Sequence, residues 1–398
     1  MKLINSSLII VLLIITNGCA STPSAGPSYT QNEATLPAKT ENPLDVSIAV
    51  FNPGIPSNPD DFKDKGIWPE LRRAEAMHMA NKLQEVLADS QVFGAVRVTP
   101  DLTYSADIYI KAKIEKSNGE DVAIKISVID STGKIIIKNK TYKHRVQEYT
   151  FLNTRNRVDE KLIVDPYQPV YVKIKNDITK KVNRIKGSKL EVIHTTTDLR
   201  FAQNFSPLAF SDILKEKKGK YSLKGRPDAN DPMLNRIQAI KYRDEIFIDT
   251  MQVHYSSFSD NMVPNYVIWQ EEAYEDAKNA REAAAAASRA AFGALLAGIA
   301  TVAIASQCEG SSCVRDTAAI GGALTGTLAA KSSKSSAESQ IHKDKLNEIG
   351  RSLETTLSPS VIEMEDTTVT LTGNANEQFS QWRAILKKIY LAETSVVM

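Results

Sequence analysis

The chain has 398 residues, of which 42% are hydrophobic and 24% are charged, and its formal net charge is +2. This length allows two or three domains, and the composition is that of a folded protein rather than a disordered one. Because the chain lacks the basic excess of nucleic-acid-binding domains, we expect no nucleic-acid partner.

The first 41 residues have the features of an exported protein. Lys2 precedes a short apolar run at 8–15, and small and polar residues then lead to Cys19. This is the layout of a secretory signal, whose apolar part is too short to span a bilayer, so we predict a signal peptide over 1–18. Residues 19–41 are rich in Ser, Thr, Pro and Ala and are expected to form a disordered tether.

Gly18-Cys19 resembles the lipobox of bacterial lipoproteins, although Thr16 and Asn17 stand where that family favours Leu and then Ala or Ser. The resemblance implies cleavage before Cys19 and acylation of this residue, which would anchor the chain stably in lipid. Ala20, rather than Asp, implies sorting to the outer membrane with the body on the periplasmic side. An ordinary signal peptide with an incidental cysteine is the alternative interpretation.

Two more cysteines, Cys308 and Cys313, lie in the segment "CEGSSC". In an oxidising periplasm this spacing predicts a local disulfide. The five histidines are scattered without metal-type spacing, and the acidic group Asp60, Asp61 and Asp64 lacks the full ligand set of a calcium loop. We therefore predict no metal site and no cofactor.

Residues 42–187 are predicted to form an α/β sandwich with the order β-α-β-β-β-β-α. "DVSIAVFNPG" alternates like a strand, and a helix is predicted from Pro69, where apolar residues recur every three or four positions. "VFGAVRVTP" and three segments between 106 and 148 follow as strands, with glycine-containing turns. "PYQPVYVKIKNDITKKVNRIKG" is predicted to be the closing helix.

This domain resembles the periplasmic domains of the curli-secretion lipoprotein CsgG, of related flagellar and exopolysaccharide-export lipoproteins, and of transport auxiliary lipoproteins. The resemblance covers about a third of the chain and implies a role in envelope assemblies or as an adaptor. The chain lacks the paired membrane β-hairpins of CsgG itself, which argues against a CsgG-type channel. The motifs that carry the resemblance are Ala80/Leu83/Leu87, Val92–Val96, Ala106-Asp107-Ile108 and Asp130–Gly133.

Residues 188–230 are predicted to be a mixed connector, with a short strand and helical stretches followed by a basic loop. The loop could contact anionic lipid head groups, and a solvated loop is the simpler interpretation. Its basic residues are Lys215, Lys217, Lys218, Lys220, Lys224 and Arg226.

Residues 231–357 are predicted to form long helices. Asp231-Pro232 is a good helix start, and Pro264 is expected to kink or interrupt the first helix. A hairpin tip at 290–330 consists of two apolar arms, each shorter than the roughly 20 residues that span a bilayer. Glycines that would allow close helix packing are Gly293, Gly298, Gly321, Gly322 and Gly326.

The tip has three interpretations from sequence: insertion into or against a membrane, packing between subunits of a homo-oligomer, or a buried core within one chain. Residues 358–398 are predicted to be a small C-terminal piece with a strand pair and a last helix. We find no motif for a catalytic residue and predict that the protein is not an enzyme.

Taken together, these features predict an outer-membrane lipoprotein of α+β fold, in which a sandwich domain precedes a long helical hairpin. Its expected role is as a structural, oligomeric subunit of an envelope assembly for secretion, export or an appendage, with other envelope proteins as partners. The alternative is a monomeric adaptor that recruits a transporter or peptidoglycan.

Overall fold

The computed structural model of the chain describes residues 42–64, 66–148, 150–151, 165–228, 231–305, 344, 347–348, 360–364 and 367–395. In these ranges the protein is α+β, as the sequence predicts. A five-stranded sheet with its helices comes first, a long helix follows, and a strand pair with a helix is C-terminal.

The N-terminal sheet and its first helices are β1 (Val46–Ala49), α1 (Asp61–Asp64), α2 (Pro69–Ala88), β2 (Val96–Thr99), β3 (Ile108–Ser117), β4 (Asp121–Asp130) and β5 (Ile135–Arg145). The strand order is β2-β1-β3-β4-β5. Strand β1 is parallel to β2 and β3, whereas β3, β4 and β5 are antiparallel neighbours. The helical connection from β1 to β2 is what allows these two strands to run parallel.

One face of the sheet is apolar and the other is polar, because side chains alternate along each strand. On β3, Ile108, Ile110 and Ile114 are buried, whereas Lys111 and Lys113 between them are exposed. Helices α2 and α3 (Gln168–Val182) cover the apolar face. The predicted β-α-β-β-β-β-α order is confirmed, with one addition: α1, a single helical turn initiated by the Asn58-Pro59 turn, lies between β1 and α2.

Helix α2 is buried on two sides. Its predicted apolar face, including Leu83 and Leu87, packs on the sheet, and Pro69 is at its first turn. A second stripe of Arg72, Glu75 and His78 is also buried, at 5%, 0% and 0% exposure. This polar stripe faces the long helix described below.

The predicted connector is more regular than expected. Helix α4 (Ser188–Phe205) replaces the predicted mixture of strand and helix, because Leu199, Phe201 and Ala202 are buried in the helical conformation. The segment predicted as a basic loop contains a hairpin of β6 (Leu214–Lys217) and β7 (Lys220–Leu223). Its two-residue turn, Lys218-Gly219, has positive φ at both positions, the conformation that matches strand twist.

Helix α5 (Pro232–Ala305) has 74 residues and is about 110 Å long at 1.5 Å per residue. Asp231 caps its start, as predicted, by accepting a hydrogen bond from the N–H of Met233 at 2.8 Å. Of the predicted kink or interruption at Pro264, the interruption was wrong, since the helix continues through it. Met262 and Tyr266 are buried at 0% and 1% exposure, so packing on both sides of the proline offsets its missing hydrogen bond.

The C-terminal elements agree with the sequence prediction of a strand pair and a helix. They are β8 (Ser360–Met364), β9 (Thr367–Leu371) and α6 (Ala375–Ser395). Phe379, Trp382 and Leu386 are buried, and the ring of Trp382 stacks on Phe247 of α5 at 5.1 Å. Helix α6 therefore packs on the N-terminal half of α5.

Candidate functional site

The N-terminal half of α5 is attached to the exposed edge of the sheet at β2. Arg97 forms a two-point ion pair with Asp249, with Nε–Oδ1 at 2.6 Å and Nη2–Oδ2 at 3.0 Å. The Gln252 side chain accepts the Val98 N–H and donates to the Val98 carbonyl, both at 2.8 Å. Gln252 thus takes the place of a neighbouring strand and covers an edge that would otherwise be open to pairing.

A buried polar cluster joins the middle of α5 to α2 and to the turn between β3 and β4. Glu75 on α2 accepts hydrogen bonds from the hydroxyl of Tyr266 on α5, at 2.7 Å, and from the hydroxyl of Ser117 on β3. Arg72 donates to the Ser117 carbonyl at 3.0 Å, and its Nε lies 3.4 Å from Glu75. These bonds fix the rotation of α5 about its axis. A different rotation would leave buried polar groups without hydrogen-bond partners, which would lower the stability of the fold.

His78, next on the same stripe, lies between Ser259 of α5 and Asp165. The Ser259 Oγ is 2.8 Å from His78 Nδ1, and Asp165 Oδ2 is 3.6 Å from His78 Nε2. Burial acts to raise the pKa of Asp165, but the nearby His78 and the hydrogen bond from the Tyr167 N–H lower it, and the net shift is downward. The order of groups is that of a Ser-His-Asp triad. However, Ser259 and His78 are both at 0% exposure, so the cluster packs α2 against α5 and no substrate reaches Ser259 in this conformation.

Among the described residues, the last contacts between α5 and the sheet domain lie at the turn between β3 and β4. Gly119 (φ +82°) approaches so closely that an added Cβ would lie 2.4 Å from the backbone nitrogen of Tyr274. Lys278 pairs with Glu148 at 2.9 Å, and Arg281 pairs with the buried Glu120 at 2.7 Å. These contacts fix the direction in which α5 leaves the domain.

Beyond Arg281, α5 continues as a helix from Glu282 to Ala305, a distance of about 36 Å. The residues of 282–288 are exposed except for the half-buried Ala285. We call 282–305 the projecting segment. After Glu282 it has a run of five alanines, which favours helix formation but buries little apolar area.

The predicted packing and anchoring residues fall in different places. Gly293 and Gly298 lie on the helical backbone of the projecting segment. The second arm of the predicted hairpin lies outside the described residues, and so do Cys19, Cys308, Cys313, Gly321, Gly322 and Gly326. Lipidation, the disulfide and the return arm therefore stay predictions.

Within the described ranges, no helix combines the length and apolar character needed to cross a membrane. In the same part of the chain, no group of three or more His, Cys, Asp or Glu residues is arranged to hold a metal ion. Two residues of the acidic group marked by the sequence lie at the start of α1: Asp60 comes just before it, and Asp61 is its first residue.

Two of the motifs that carry the family resemblance meet beneath α4. Asp107 accepts a hydrogen bond from Thr197 of α4 at 2.6 Å, and its other oxygen lies 3.0 Å from Nδ1 of His194, also on α4. In the Asp130–Gly133 turn, the Ser131 hydroxyl donates to the Ile193 carbonyl at 2.7 Å. The motif residues therefore attach α4 to the end of the sheet.

No protein-family model, curated protein or solved structure matches this chain. The resemblance to CsgG-like lipoproteins is thus a prediction from sequence motifs.

The contacts that hold α5 were not foreseen from the sequence. His78 and Ser259 are 181 positions apart, and Arg97 and Asp249 are 152 positions apart. The one available signal was the spacing of Arg72, Glu75 and His78, which places polar residues on a single helical stripe of α2. Polar residues at this spacing are consistent with a second helix that covers the stripe.

Proposed function

We propose that this chain is a non-catalytic, lipid-anchored subunit of an oligomeric assembly in the bacterial cell envelope, attached through Cys19 to the outer membrane and facing the periplasm. The observation that carries the proposal is the projecting segment, a helix that continues for about 36 Å beyond the Arg281–Glu120 ion pair, the last contact with the sheet domain among the described residues. A supporting point is the tether at 19–41, which has the composition of a flexible linker.

The base of α5 is rigid, and this favours a structural role. Its fixed points are the Arg97–Asp249 ion pair, the Glu75 cluster and the Arg281–Glu120 ion pair, which are distributed along more than 30 residues of the helix. A helix held in this way has one direction relative to its domain. Copies of the chain would then present identical helices at identical angles, which is a requirement for closed symmetric assemblies.

The projecting segment needs a partner to be stable. Helices in proteins derive most of their stability from tertiary packing, and an alanine-rich helix surrounded by water lacks that contribution. Small residues at Gly293 and Gly298 would let another helix approach closely. We propose that the 290–330 tip packs between copies of the chain or inserts at the membrane, and the two cases are separated below.

The first experiment measures the mass of the full mature chain with Cys19→Ser, so that acyl chains cannot drive association. Mass photometry and electron microscopy should show a closed oligomer. Gly298→Leu should shift it towards monomer, because leucine prevents close helix approach. Gly225→Leu is the matched control, since nothing lies within 4 Å of a Cβ at this exposed position. A monomer for the parent chain at all concentrations would refute the assembly and favour the adaptor function.

The second experiment separates membrane insertion from subunit packing. The same Cys19→Ser chain is tested for flotation with vesicles of anionic and neutral lipids, with and without residues 290–330. Loss of flotation on deletion supports insertion. If flotation is absent or unchanged on deletion while the oligomer dissociates, the tip packs between subunits.

A further inference from the structure

An open cleft of about 620 Å³ lies between α4, β7, α6 and the segment that precedes β3. This volume is in the range of ligand sites in proteins. The cleft is on the sheet domain and is independent of the projecting segment. The residues that give it chemical character are Arg200, Arg383, Lys387, Tyr109, Tyr221 and Phe201.

Arg200 lies against two aromatic rings on one side of the cleft. Its guanidinium carbon is 4.4 Å from the ring centre of Tyr221 and 5.2 Å from that of Tyr109. One nitrogen, Nη1, donates to the Ser131 carbonyl at 2.8 Å. Stacking and this single hydrogen bond fix the plane of the guanidinium, and the other N–H groups have no hydrogen-bond acceptor among the described residues. A fixed guanidinium is well suited to bind an oxyanion through two N–H groups.

Arg383 provides a second guanidinium from α6. It lies 5.0 Å from the ring centre of Phe379 and 5.5 Å from that of Phe201. Behind the cleft, its Nη2 is 3.0 Å from Asp244, which is 1% exposed. Asp244 therefore positions Arg383 and balances one positive charge.

Lys387 lies one helical turn beyond Arg383, so both side chains are on the same face of α6. It is exposed and has no hydrogen bond or ion pair with the described residues. The described residues that line the cleft include these three cations and no carboxylate. With Asp244 counted, the cleft keeps an excess of about two positive charges, which favours an anion.

We propose that this cleft binds a small ligand that carries a phosphate or carboxylate group next to a flat apolar part. The oxyanion lies between Arg200, Arg383 and Lys387. The apolar part packs on Tyr221, which is partly exposed, as is typical of sites that combine aromatic walls with a few polar groups. This site does not depend on the assembly role proposed above.

The test is isothermal titration of the full mature chain with phenyl phosphate, benzoate and phenol. Phenyl phosphate and benzoate share the ring but differ in the oxyanion, so their relative affinity identifies which anion the cleft prefers. Phenol lacks the negative charge and should bind weakly or not at all. If neither anion binds at concentrations up to about 10 mM, the proposal is refuted.

Variants of Lys387 locate the binding in this cleft. Lys387→Met should weaken binding of the preferred anion about fivefold, the effect of one exposed ion pair. Lys387→Glu should weaken it by about 25-fold, because attraction becomes repulsion. The matched control is Lys388→Met, since Lys388 is the exposed neighbour on α6 that does not line the cleft. Equal affinities for the Lys387 and Lys388 variants would place the binding elsewhere and overturn the proposal.

Arg200 supplies an independent variant. Arg200→Gln should reduce the affinity more than Lys387→Met does, because it removes a pre-oriented bidentate donor. Thermal unfolding of each variant shows whether it is folded, and Lys387, being exposed, keeps the test valid if Arg200→Gln is not.

Discussion

Replacing Asp107 by Ala is the most direct test of how the sheet holds α4. The Asp107 side chain is 3% exposed. One oxygen accepts a hydrogen bond from the Thr197 hydroxyl at 2.6 Å. The other accepts the Asp45 N–H at 3.0 Å and lies 3.0 Å from His194 Nδ1. Alanine removes all three interactions from a buried position.

The expected loss in the free energy of unfolding is about 2–3 kcal/mol, because hydrogen bonds to a buried carboxylate are lost while the remaining partner His194, whose side chain is 23% exposed, stays in contact with water. The hydroxyl of Thr197 keeps a partner, because the Ile193 carbonyl is 3.0 Å away. The Asp45 N–H loses its side-chain acceptor, which adds to the loss within that range. A loss of this size is a large part of the roughly 5–15 kcal/mol that stabilises a typical domain.

The loss should also depend on pH. Burial raises the pKa of Asp107, but its bonds and charge interaction with His194 and its hydrogen bond from Thr197 outweigh burial, so the net pKa is below the ordinary 3.8. The hydrogen bond to Asp107 raises the pKa of His194 above 6.5. The Asp107 contribution is therefore present above pH 3.8 and lost as pH falls. The His194 contribution is present below pH 6.5 and lost as pH rises through its folded-state value. Asp107→Ala should therefore lower the free energy of unfolding most between pH 3.8 and 6.5.

The assay is urea unfolding followed by circular dichroism at pH 5.5 and pH 8.5. The control is Asp212→Ala, because this carboxylate is 99% exposed and its loss should change stability by less than about 0.5 kcal/mol. A loss at Asp107 as small as that at Asp212, or one that does not decrease from pH 5.5 to 8.5, would refute the role assigned to the Asp107–His194 pair.

Three further predictions concern strain, proton binding and the sheet edge. Gly133→Ala should lower the unfolding free energy by about 1–3 kcal/mol, because φ is +79° and an added Cβ would be 2.0 Å from the Gly219 carbonyl oxygen; Gly225→Ala is the control in thermal unfolding and should be neutral. Burial raises the pKa of Asp244 to about 6 from 3.8, so the folded state holds the proton longer and stability should fall by up to about 3 kcal/mol as pH rises from 4 to 6. In urea unfolding at pH 4 and pH 6, Asp244→Asn should abolish this decrease in stability. An unchanged decrease would show that Asp244 is not the group responsible for it. Gln252→Leu should lower the free energy of unfolding by about 2 kcal/mol, because it removes two hydrogen bonds to the backbone of β2. Hydrogen exchange of the β2 amides should then accelerate. Protection equal to that of the parent chain would show that Gln252 does not cover the edge.

Local patterns predicted most elements of the sheet domain. The alternation in 108–114 identified β3 and its buried side, and Pro69 marked the start of α2, because each pattern reflects the periodicity of one element. The pattern failed for α4, where Val192, Ile193 and neighbouring threonines favour a strand locally but are packed in a helix. It also failed at Pro264, where packing of the flanking residues keeps α5 continuous.

The sequence by itself determined the α+β class, the presence of the three consecutive strands β3, β4 and β5, and the features that predict export and lipidation, because these depend on neighbouring residues. Only the tertiary structure decided which distant residues meet. His78 meets Ser259, and Arg200 lies in one cleft with Arg383, because the rotation of α5 and α6 on the sheet domain sets these contacts. That rotation results from many side chains packing simultaneously, and no single segment of the sequence encodes it.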